Sequence, residues 1–179
     1  MAQGSYPFGG TPPVFMASDI LLYCLQVTVG TGACSYISGS GTYTSITSIN
    51  TFMAALEAGT LPPPDGPLPT FGPGDAPPDI LVTMPCYVVI VLSSSDQPSL
   101  CFQTTAMTTG GDCATKYFGL TEASRSTVWH PTIAYFAVPV VAPTSQHVID
   151  PYTMFLQYSS GGSTIIYDID PCIKNRGDG

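Results

Sequence analysis

The chain has 179 residues, of which 44% are hydrophobic and only 9% charged, and its formal net charge is −8 at pH 7. No lysine or arginine occurs in the first 115 residues, and the four basic side chains, Lys116, Arg125, Lys174 and Arg176, are outnumbered by twelve carboxylates. Without clustered cations nucleic-acid binding is excluded, and the apolar content excludes disorder for most of a length that suits one domain with one core.

Residues 1–13 (MAQGSYPFGGTPP) are rich in Gly and Pro and read as an extended arm able to lie along a neighbour. No positive segment precedes the first apolar stretch, so a standard secretion signal is not expected. Strand signals cover 19–29, 33–37 and 42–49, separated by turn signals at 30–32 and at Ser38-Gly39-Ser40-Gly41. One short helix is expected over 51–58, with Asn50 as its cap, Ala, Met, Leu and Glu inside it, and Gly59 as its left-handed stop. Next comes 60–79, a stretch with eight prolines, too proline-rich for a helix or a sheet interior. It reads as a long, stiff excursion of polyproline character and as a contact element.

From residue 79 strand signals become dense: 80–92, 100–108, 127–141, 148–158 and 163–169. Pro85 is expected to split or bend the first of these, and Pro131 and Pro139 to mark bends or edges of the third. The apolar run 80–92 is too short, at 13 residues, to cross a bilayer as a helix, which needs about 20. The pattern predicts a mainly β fold, an antiparallel β-sandwich or jelly roll of about eight strands with one short helix. Its organisation is an arm at 1–13, a single domain at 14–173 containing the Pro-rich loop 60–79, and a flexible tail at 174–179. Ile80, Val82, Val88, Ile90, Leu92, Phe136, Val138, Phe155 and Ile165 are its expected inward positions.

Six cysteines, Cys24, Cys34, Cys86, Cys101, Cys113 and Cys172, form no CxxC, and with two histidines they make no zinc pattern. Cys24, Cys86 and Cys101 lie in apolar runs and read as free thiols acting as small core hydrophobes. A nucleophile needs an adjacent base, and the histidines are His130, beside Trp129, and His147. No GxSxG elbow is present, so an enzymatic reading reduces to His147, Asp150 and an unspecified serine. Asp168 and Asp170 share one face of a strand, about 7 Å apart. That spacing suits a Ca²⁺ site or an acid–base pair, although a solvated strand face is the simpler reading. Arg176-Gly177-Asp178 matches an integrin-ligand tripeptide at the chain end, and the Gly-rich loops lack a Walker lysine. No catalytic, cofactor-binding or metal residue is therefore assigned, no cofactor is expected, and the chain reads as a non-enzyme.

A neutral Ser/Thr/Gly-rich β chain with a Pro/Gly arm and a long Pro-rich loop resembles a small virion structural protein, a jelly-roll capsid or capsid-surface subunit of a non-enveloped virus or phage. The resemblance implies a virion protein assembled in the host cytoplasm, a homo-oligomer or larger assembly of protein subunits, with no membrane or nucleic-acid partner and with room for a host receptor. Genome-lining subunits commonly carry a basic arm. This arm has none, which implies an outer or decorating position with contacts through the arm, the proline loop and strand edges. The alternatives are a carbohydrate-binding, lectin-like module, whose stacking rings would be drawn from Tyr117, Phe118, Trp129, Tyr135, Tyr152 and Tyr158 beside a Gly110-Gly111-Asp112 loop, and a hydrolase with an unrecognised site.

Overall fold

A computed structural model describes residues 19–29, 34–44, 48–67, 79–93, 100–109, 117, 127–130, 132–139, 148–160 and 162–175. The arm 1–13, residues 68–78 of the proline stretch, Cys113, Lys116, Phe118, Arg125, His147 and Arg176 to Asp178 lie outside the described residues.

In chain order the elements are β1 (Ile20–Val29), β2 (Cys34–Tyr43), α1 (Ile49–Ala58), β3 (Gly66–Pro67), β4 (Ile80–Val82), β5 (Cys86–Ser93) and β6 (Leu100–Thr108). They continue with β7 (Thr127–His130), β8 (Ile133–Val138), β9 (Val148–Pro151), β10 (Thr153–Ser160), β11 (Ser163–Ile169) and β12 (Cys172–Asn175). The chain is mainly β with one helix among the described residues. Twelve strands appear there where about eight were expected, chiefly because proline divides long apolar runs. The run 80–92 breaks before Cys86, next to Pro85, and the run 127–141 breaks at 131–132, next to Pro131.

The strands form a six-stranded sheet in the order β3-β2-β1-β5-β8-β7 and two three-stranded sheets, β11-β10-β6 and β4-β12-β9. The expectation of antiparallel pairing throughout is corrected: β1 runs parallel to β5, and β12 parallel to β4. A parallel neighbour needs a long crossover, and α1 with the proline stretch supplies it between β1 and β5. β5 is buried on both faces and therefore reads as an unbroken apolar run. Tyr87 and Val89 point to the α1 side with Ile20, Leu22, Phe52 and Met53, while Cys86, Val88, Ile90 and Leu92 point to the other core. That second core draws Ile80, Val82 and Ile173 from one small sheet and Phe102, Met107, Met154, Leu156 and Ile169 from the other.

α1 begins two residues earlier than expected. Ser48, in extended conformation, caps it by accepting from the Thr51 N–H at 3.1 Å, so Asn50 lies inside the helix rather than capping it, and Ile49 is helical rather than part of a strand. The earlier start sets Ile49, Phe52 and Met53 on one buried face. Gly59 (φ 65°) ends the helix as expected, and Thr60 N–H closes back on Ala55 O at 2.9 Å.

Ser38-Gly39-Ser40-Gly41 is not a turn but the interior of β2, paired with β1. The glycine is needed for close approach. A Cβ on Gly41 would run into Pro64 and stand 2.8 Å from the Gly66 carbonyl oxygen. The proline stretch returns here to the sheet edge: Asp65 N–H donates to Thr42 O (2.8 Å), and the Thr44 N–H and hydroxyl both donate to Asp65 Oδ2 (2.7 and 3.0 Å). Gly41→Ala is expected to cost about 1–3 kcal/mol through this overpacking. Urea denaturation measures the loss, and faster hydrogen exchange at the Asp65 amide locates it.

Of the nine expected core positions seven are buried, but Phe155 is only partly so and Ile165 is 46% exposed. In β10 the inward residues are Met154 and Leu156, one position out of phase with the expectation, since apolar neighbours on both sides hide the period of two. Ile165 lies on β11, an outer strand of its sheet, where Ile169 is buried in the core and Tyr167 packs partly against it. Lys174 and Asn175, expected in a flexible tail, belong to β12.

The two small sheets share one ribbon. Cys172 faces Pro151 and Met154 faces Ile169 in a single unbroken register. Across the gap Tyr152 N–H donates to Pro171 O (3.0 Å) and the Thr153 hydroxyl to Asp170 Oδ1 (2.7 Å). Residues 148–175 are thus one bent hairpin, closed at its tip between Ser160 and Ser163 by Gly162 at φ 84°.

Candidate functional site: a buried polar tie and an outward sheet face

The strand period turns Asp150 of β9 and Asn175 of β12 inward, and both are buried. Tyr117 reaches between them. Its hydroxyl donates to Asp150 Oδ2 at 2.6 Å and accepts from Asn175 Nδ2 at 3.2 Å. Nearby, the buried Thr109 hydroxyl donates to Pro151 O at 2.7 Å. A carboxylate that is only 4% exposed is costly unless hydrogen-bonded. The directed chain Asn175 to Tyr117 to Asp150 meets that need and fastens residue 117 to both edges of the bent ribbon. Tyr117→Phe is expected to destabilise by about 1–3 kcal/mol, as both neighbours lose this bond inside the core. Thermal or urea unfolding reads it, with the exposed Asp168→Asn as a control near zero.

The other sequence candidates are dispersed. His130 ends β7, the outer strand of the six-stranded sheet, and its side chain, like that of Trp129, lies outside the described residues. Asp168 and Asp170 are both exposed, as a solvated strand face requires, and Asp170 is engaged by Thr153. No group of three His, Cys, Asp or Glu able to hold a metal ion occurs among the described residues. Of the rings considered for sugar stacking, Tyr117, Tyr135 and Tyr152 are buried and so not available to a ligand at the surface, and Tyr158 is half-buried against the core.

Cys24, Cys86, Cys101 and Cys172 form no disulfide. Burial pushes the Cys86 thiol up to about 12, which suits an inert core residue, while Cys101 Sγ accepts from Gln157 Nε2 at 3.3 Å. Asp79, where the proline stretch ends, is tied to β12: its Oδ1 accepts from Cys172 N–H (3.0 Å) and its Oδ2 pairs with Lys174 Nζ (2.7 Å). The hydrogen bond to Asp79 holds the exposed Lys174 ammonium above its ordinary range.

The feature that sequence reasoning missed is the outward face of the ribbon. Register sets Ile149, Lys174 and Leu81 in a row across three strands. Ile149 is 62% and Leu81 40% exposed. The same alternation carries this face along the ribbon to the half-buried Phe155 and Gln157 and to Ile166, which is 61% exposed. One signal for it was present. Ile165 and Ile166 are adjacent, and neighbours on a strand cannot both point inward.

No protein-family model matches the chain, and no curated protein matches it.

Proposed function

We propose that this chain is a structural subunit that works by packing against other protein subunits, in the manner of an outer or decorating capsid component of a non-enveloped virus or phage. The observation that carries the reading is the outward ribbon face, where large apolar side chains stand on hydrogen-bonded strands rather than on a loop. Exposed apolar groups rimmed by polar ones are the signature of a protein-contact surface. A rigid sheet also loses little entropy when it docks. The sparse charge of the chain lowers the desolvation cost of such contacts. In the same reading the six-stranded sheet and the bent ribbon are the two leaves of a sandwich, a view supported by the core that both fill.

The test is the state of the purified full chain by light scattering and negative-stain electron microscopy. Particles or discrete oligomers are expected. Ile149→Asp should leave the circular dichroism and melting unchanged while reducing the assembled fraction. A wild type that stays monomeric over the accessible concentration range, and instead binds on a glycan array, would overturn the reading in favour of the lectin-like alternative.

A further inference from the structure

Strand edges differ sharply in how open they are to another strand. β3 has two residues, β4 has three, β9 ends in a proline, and β6 and β7 carry irregular register against their neighbours. Two longer regular edges remain among the described residues: 34–40 of β2, which β3 does not reach and whose sequence is rich in Ser and Gly, and β11. β11 runs for seven residues, its register against β10 is regular from Ser160↔Ser163 to Met154↔Ile169, and it is an outer strand among the described residues. Its sequence, Ser-Thr-Ile-Ile-Tyr-Asp-Ile, contains none of the Lys or Pro residues that commonly blunt an edge. Both Ile165 and Ile166 are exposed, one on each face of the sheet.

We propose that β11 is a self-pairing edge, through which two copies of this chain join antiparallel with Ile166 opposite Ile166 of the second copy. This names the contact that the subunit reading requires and rests on that reading. The occupant follows from the strand's own pattern, which is chemically symmetric about Ile166. In this register Ile165 meets Tyr167 of the second copy on one face, and on the other Thr164 meets Asp168, hydroxyl to carboxylate. Over the central five positions apolar groups meet apolar ones and the single charge meets a hydrogen-bond donor, and only the end pair, Ser163 with Ile169, is mixed.

Neighbouring registers lose that match. Centring on Ile165 sets Ile166 against Thr164, and centring on Tyr167 sets Ile166 against Asp168. Electrostatics agrees with the chosen register. The strand carries one charge in a chain of net charge −8. Four residues of strand separate the two Asp168 side chains by about 14 Å, beyond the ~8–10 Å screening length. The product is a continuous sheet in the order β6-β10-β11-β11-β10-β6.

Sedimentation equilibrium of the full chain tests it with four variants, each checked for native circular dichroism and melting. Ile166→Lys places two ammonium groups opposite each other and is expected to raise the dimer dissociation constant roughly tenfold or more. Thr164→Lys sets a cation opposite Asp168 and should tighten the dimer about twofold to fivefold, a gain that Thr164→Lys combined with Asp168→Asn should lose. Thr164→Asp should weaken it. An Ile166→Lys protein that associates like wild type overturns the edge pairing, as does any result in which Thr164→Lys and Thr164→Asp act alike. If particles persist in Ile166→Lys, the edge proposal falls and the subunit reading stands. A wild type that forms the β11 dimer and nothing larger upholds the edge pairing and overturns the capsid-like part of the subunit reading.

Discussion

Phe136→Ala is expected to lower the unfolding free energy by about 3–5 kcal/mol. Phe136 sits on β8 and is 1% exposed, so alanine leaves a hole with little means of collapse. On one side its ring meets Tyr117 edge-on (centroids 6.3 Å apart, 89°), and on another it meets Tyr152 (6.5 Å, 49°). Tyr117 is fixed by Asp150 and Asn175, so its ring is not free to fill the space. Ridding the core of this ring therefore loses transfer energy, aromatic contacts and packing at once. Urea denaturation should show a large drop in midpoint with an unchanged slope. Phe155→Ala, on the outward face of the same molecule, should cost about 1 kcal/mol or less. Equal losses from the two would contradict the assignment of inward and outward faces.

Raising the pH from about 9 to 12 should destabilise the protein strongly. Burial is the chief cause that moves the Cys86 thiol from its ordinary 9.0 to about 12. Burial likewise raises Tyr23, against a smaller opposing effect of its backbone hydrogen bond with Leu81, and raises Tyr152 well above 10.0. A group whose native pKa exceeds its unfolded pKa keeps its proton longer when folded. Its stabilisation is complete below the unfolded value and is lost as pH rises toward the folded one. Each group removes at most about 1.4 kcal/mol per pH unit within its window, Cys86 first and the two tyrosines once the pH passes about 10, so the fall steepens there. Losses of this kind over two pH units are a large share of an ordinary 5–15 kcal/mol of stability. Urea midpoints at pH 8, 9.5 and 11 measure the fall, and Cys86→Ala should flatten it between pH 9 and 10. Constant stability up to pH 11 would contradict the burial of these groups.

Much of the architecture was legible because apolar runs and prolines act locally. Pro85 and Pro131 marked real strand breaks, Gly59 marked the helix end, and 100–108 and 163–169 were read with their true limits. Errors arose where a distant contact decided. Ser38-Gly39-Ser40-Gly41 has turn composition, yet its glycine serves the returning Pro64. Cys172 to Asn175 is too short to signal a strand and exists because β9 and β4 flank it. The candidate sites were harder to read. Asp150 was noticed for its distance along the chain from His147, while its bond to Tyr117 spans 33 positions and leaves no mark in spacing.

The bent ribbon also sets an order of events for the folding chain. Its strands meet across a glycine turn, a closure that hairpins complete within about 1–10 μs, whereas β1 must find β5 across the helix and the whole proline stretch, a non-local pairing that is slow to form. On refolding from denaturant the ribbon, with its β11 edge, is therefore expected to close before the central sheet is complete. A refolding chain thus exposes the β11 edge early, and dilution sets how far copies aggregate through it.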